Sequence, residues 1–114
     1  MQLELFLAKL QQNPRQIEFT DTMSTIDANY QFTPTTFNNG SLTNAADQNN
    51  GSCKIFAFGK LNELSEQQTL ACFGAYYSDD VLQNPDGDDH QNIRNFMLTG
   101  WDGIKFEGAA LVAK

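Results

Sequence analysis

The apolar residues of this chain fall at helical spacing, but never for long before a turn signal cuts them off. Leu3, Phe6, Leu7 and Leu10 stand at i, i+3, i+4 and i+7, with Glu4, Lys9 and Gln11 off that face. Asn13-Pro14 ends the stripe, because proline lacks an N–H and pushes the residue before it out of helical geometry. Phe19, Met23, Ile26 and Tyr30 form a second stripe. Thr20 is a candidate N-cap there, and Asp21 suits the positive end of the helix dipole.

From Gln31 to Asn50 the chain turns polar and poor in charge. Phe32 and Phe37 flank Pro34, so a strand here is broken or lies at a sheet edge. Asn39-Gly40 is the strongest turn signal in the chain, and Ser41-Leu42-Thr43 can return beside it. The expectation is a β-hairpin near 31–43, followed by a polar loop.

At Ser52 a dense apolar segment opens, CKIFAFGKL. Gly51-Ser52 as a cap, and the spacing of Phe58, Leu61 and Leu64, favour a helix over a buried strand. Ser65 with Gln68 three residues later is a capping box. The helix it starts is expected to run through Leu70, Cys72, Phe73, Tyr76 and Tyr77. Pro85-Asp86-Gly87 is a turn, and Asp88 or Asp89 is expected to cap a last helix carrying Ile93, Phe96, Met97 and Trp101. Gly100 suits a left-handed C-terminal cap. A short strand is expected near 104–107, and the tail Ala109–Lys114 is expected to be loose. The fold class is α+β, mainly helical, with about five helices around one core and a few short strands. Residues 1–114 read as a single domain, with no linker or repeat.

Composition narrows the function. The chain has 114 residues, 40% of them hydrophobic, with nine Phe, which is enough to fill one core and argues against disorder. Seven basic residues face fourteen acidic ones, for a net charge of −7. Nucleic-acid binding by phosphate neutralisation needs a basic patch, and docking on an anionic membrane needs the same sign, so both are disfavoured. No apolar run has the length of a membrane span, and MQLELFLAKLQQNP lacks the features of a cleaved signal. Synthesis and folding in the cytoplasm are expected. The two cysteines fit a reducing compartment and have no zinc-ligand spacing, so neither metal nor cofactor is expected.

Long ordered motifs add a family. YQFTPTTFNNG, NGSCKIFAFGKLNELS, TLACFG, DVLQNPDGDDHQNIRNFM and GWDGIKFEG resemble the HopJ type III effector proteins over roughly residues 17–108. The tail GAALVAK departs from the pattern, which has a proline after the FEG glycine. The resemblance implies secretion through a type III system in some bacteria and implies no enzymatic activity. It leads to the expectation of a small acidic protein that binds a protein partner or a small ligand, of unstated oligomeric state.

Four constellations could carry chemistry. Cys53 is expected in a helix first turn, where the dipole and Lys54 would favour thiolate. With His90, the one histidine, and Asp89 as orienter, Cys53 would make a thiol hydrolase or transferase; the bland reading is a buried thiol and a solvated histidine. Asp79, Asp80, Asp86, Asp88 and Asp89 could gather a hard cation, but they lack an EF-hand pattern and read more simply as a solvated loop with caps. Cys53 and Cys72 could pair by redox, against the plainer reading of two unconnected core thiols. A ligand pocket, if present, is expected at the polar edges of Tyr76, Tyr77 and Trp101, with Arg94 nearby, although aromatics at helical spacing are more often core.

Overall fold

The computed structural model describes residues 2–114. Helix α1 (Leu3–Gln12) buries Phe6 and Leu10, and the chain turns at Asn13 into a 3-10 turn, Pro14–Gln16. Helix α2 (Phe19–Asn29) starts one residue before the expected cap, so Thr20 lies inside its first turn and Glu18 precedes the helix. Two threonines of α2 are buried and spend their hydroxyls on carbonyls: Thr22 donates to Cys72 and Thr25 to Asp21, both at 2.8 Å.

Five three-residue strands follow the turn signals. They are β1 (Tyr30–Phe32), β2 (Phe37–Asn39), β3 (Leu42–Asn44), β4 (Ile104–Phe106) and β5 (Leu111–Ala113). The hairpin is β2–β3, turning at Gly40, whose φ of 62° favours glycine. It therefore spans 37–44, and β1, cut off by Pro34, takes no part in it. Strand β4 joins the other side of β2, with Phe37 opposite Phe106. All pairs are antiparallel: β3-β2-β4 in one sheet and β1-β5 in the other.

The tail is a correction. Leu111–Ala113 is not loose but pairs with Phe32–Tyr30, and Ala110 and Leu111 are buried. The Lys114 ammonium then donates to the Asp27 carbonyl at 2.8 Å. A three-residue strand offers too little alternation to be read locally, and its partner lies far back in the chain.

Helix α3 (Asn50–Leu61) is the centre of the fold, with Ile55, Phe56 and Phe58 wholly buried. The Phe56 ring sits 4.9 Å from Phe96, 5.6 Å from Phe73 and 5.9 Å from Phe37, centroid to centroid. The Phe58 ring meets Phe6 and Tyr30 edge-on, an arrangement favoured by the ring quadrupoles. A Cβ at Gly59 would lie 2.8 Å from the Trp101 ring, so α3 can pass this close only with glycine there.

Helix α4 (Glu66–Ala71) opens with the expected capping box: the Gln68 N–H donates to Ser65 Oγ, and Gln68 Oε1 accepts from the Ser65 N–H. It does not reach Tyr77. Gly74, at φ 61°, breaks it beside the Phe19 backbone, and Tyr76–Val81 continue as a π-helical turn. The last helix, α5 (Gln91–Thr99), is preceded by His90 in the cap position, not by Asp88 or Asp89, and Gly100 follows it at φ 60°. A 3-10 turn over Gly100–Gly103 leads into β4.

Candidate functional site

Two helix starts meet at one cleft. Helices α3 and α5 are each preceded by a non-glycine residue in left-handed backbone, Asn49 (φ 54°, ψ 49°) and His90 (φ 50°, ψ 51°). Asparagine and histidine are among the residues that tolerate that region. Neither side chain caps its helix. The first-turn residues Gly51 and Ser52 of α3 and Gln91 and Asn92 of α5 border a cleft of about 590 Å³. Phe19, Leu42, Phe73 and Ile93 form its apolar walls, and Tyr76 of the π-helical turn stands at its side, 5.2 Å from the His90 ring.

Behind the cleft lies a buried carboxamide network. Asn92 Nδ2 donates to Asn44 Oδ1 at 2.9 Å, and Asn44 Nδ2 returns a bond to Asn92 Oδ1 at 3.0 Å. Asn39 Nδ2 donates to the Asn92 carbonyl at 2.7 Å, and Asn49 Nδ2 donates to Asn44 Oδ1 at 2.6 Å. The network ties both strands of the hairpin to the starts of α3 and α5, so it fixes the cleft floor. One acceptor, Asn39 Oδ1, is buried and unpaired.

His90 is held from two sides. Its Nε2 lies 3.0 Å from Asp80 Oδ2 and 3.8 Å from Asp89 Oδ2. Asp89 is itself gripped by Arg94 at 2.6 Å, and that guanidinium bond holds its carboxyl below the usual carboxylate range. Arg94 also donates to the carbonyls of Asp89, Asn84 and Pro85, bracing the loop before α5.

The other singled-out residues go elsewhere. Cys53 does fall in the first turn of α3, but it is 1% exposed with Sγ 3.6 Å from the Thr35 carbonyl. Burial pushes its thiol up, opposite to the lowering expected from the helix dipole. Its neighbour Ser52 borders the cleft, and no hydrogen bond joins Cys53 to His90 among the described residues. Cys72 is sealed, and burial pushes it up to about 12. Trp101 packs on Phe96 and gives its indole N–H to the Leu64 carbonyl at 3.0 Å. Tyr77 faces a second groove. Sequence reasoning found His90 and Tyr76 but missed Asn44, Asn49 and Asn92, which look like ordinary turn residues until their partners are known. No group of three or more His, Cys, Asp or Glu among the described residues is placed to hold a metal ion.

Fold and cleft thus define a small α+β domain with one aromatic core and a pocket where two helices begin. The chain belongs to the HopJ type III effector protein family, whose profile matches residues 3–111. It is similar to the protein in "Crystal structure of unknown function protein VPA0580": 59% identity, all of this chain and 95% of that one covered, TM-score 0.99. No curated protein matches it. No helix among the described residues is long and apolar enough to cross a membrane.

Proposed function

We propose that this HopJ-family chain acts by non-covalent binding, and that the cleft at His90 takes a small ligand with a planar apolar body and a hydrogen-bonding head. The observation behind this reading is the lining: the Phe19 and Tyr76 rings, edge-on at 5.0 Å between centroids, border one cleft together with the polar residues Ser52, His90 and Gln91. The body would lie against the rings, and the head would meet Ser52, Gln91 and His90. The burial of Cys53 supports binding over the thiol hydrolase or transferase that would use Cys53, His90 and Asp89.

A function-blind thermal-shift screen tests the reading on the wild type, Tyr76→Ala, His90→Ala and Cys53→Ala. Ligands that stabilise the wild type and the Cys53 variant, but not the two cleft variants, are expected. Hits indifferent to Tyr76 and His90, or hits lost only with Cys53, would overturn it. Family membership further supports export through a type III system where one is present. A translocation-reporter fusion should give signal only with an intact secretion apparatus; equal release from an apparatus-null strain would end that reading.

A further inference from the structure

A second concavity, of about 930 Å³, lies between the turn that follows α1 and the stretch from α4 into the π-helical turn. Its floor is apolar, made by Leu10, Ile17, Ala71, Ala75 and Tyr77, with Leu82 left 48% exposed. The side chains at 71 and 75 are small and leave room above that floor. The rim is polar and nearly without cations. Five of its residues are glutamines, and its charged residues are Glu18, Asp79 and Arg15. None of those three forms an ion pair among the described residues.

Charge decides what fits. Two of the three charged rim residues, Glu18 and Asp79, are carboxylates, and neither forms an ion pair among the described residues. The whole chain carries −7. A second copy would bring carboxylates against carboxylates, and an anionic membrane or a nucleic acid would be repelled in the same way. A cationic partner gains where those lose. We propose that this groove docks a basic amphipathic segment of a partner protein. Apolar side chains of the segment lie on the Ala71–Ala75 floor and against Leu82, while its lysines or arginines face Asp79 and Glu18. Helix-in-groove recognition uses this division between apolar anchors and charged flank. The groove is lined by none of the cleft residues, so the inference stands apart from the ligand reading above.

The probe is a labelled Leu/Lys peptide of about 14 residues with leucines at helical spacing, read by fluorescence anisotropy against its Leu/Glu counterpart. Saturable binding of the lysine peptide alone is expected, weakening as salt rises. Ala75→Arg fills the floor and adds a cation; it should weaken binding at least about tenfold, as should Asp79→Lys. Ala75 is exposed, so the fold should persist; if Ala75→Arg nonetheless melts early, Leu82→Lys makes the same test at another exposed position. Absence of saturable binding overturns the inference, as does equal binding of both peptides. So does binding that survives the floor variants but falls with Asp86→Asn and Asp88→Asn, since that is adhesion to the acidic loop alone. Concentration-dependent dimerisation abolished by Ala75→Arg would assign the groove to a second copy instead.

Discussion

Asn92 does more than its place in a polar helix start suggests. Its side chain and carbonyl serve Asn39 and Asn44 at once, and all three are buried. Replacing it with alanine keeps the carbonyl that Asn39 uses and the bond from Asn49 to Asn44 Oδ1, but leaves Asn44 Nδ2 buried without a partner, which costs the desolvation of that group. Asn92→Ala should therefore lower stability by about 1–3 kcal/mol in urea unfolding, well above a surface substitution. Asparagine in a run such as NNGSLTN reads as turn chemistry, so the sequence gives no hint that several of these residues close a buried network. Cys72 makes a separate test at this scale. Its thiol rises from an ordinary 9.0 to about 12 in the fold, because burial penalises the thiolate. The unfolded chain ionises first, so the contribution is complete below pH 9.0 and is lost as pH climbs toward about 12. Stability of Cys72→Ala, measured over that window, should fall less steeply than that of the wild type.

Elements show most sharply what local sequence can and cannot specify. The capping box at Ser65 and Gln68 was legible because all its partners lie within four residues. Ser65→Ala should cost about 1 kcal/mol by chemical denaturation, with Gln68 left unreciprocated. Helices α1, α3 and α5 were legible from their stripes for the same reason. Strand β5 was not, since its three residues gain meaning only against β1. Leu111 is the buried anchor of that pairing, and Leu111→Ala should lose about 2–3 kcal/mol and release amide protection at Tyr30–Phe32 in hydrogen exchange. The break at Gly74 was hidden too. TLACFGAYY is apolar enough to read as one helix, and only the approach of Phe19 explains why the chain leaves helical geometry there. The site suffered likewise: His90 and Tyr76 could be named, but the Asp80 partner of His90 sits ten positions away across an irregular loop.

At the scale of the whole molecule, one connected core joins residues from α1 to β5, and no second cluster stands beside it among the described residues. Far-UV and near-UV circular dichroism should therefore lose signal in a single coincident transition; separated midpoints would show a subdomain that this packing does not contain. The single-domain, helix-rich α+β plan was legible because it follows from pattern and from the amount of apolar material. The two concavities were not, because they arise where distant elements meet. They share one wall. Tyr76 of the π-helical turn borders the cleft, and Tyr77, next in the chain, borders the groove. Were an occupant of one site to shift this turn, the other site would change with it, and thermodynamic linkage would then demand reciprocity: each occupant would change the other's affinity by the same factor. Two adjacent tyrosines would in that case serve as the two ends of a lever only one residue long.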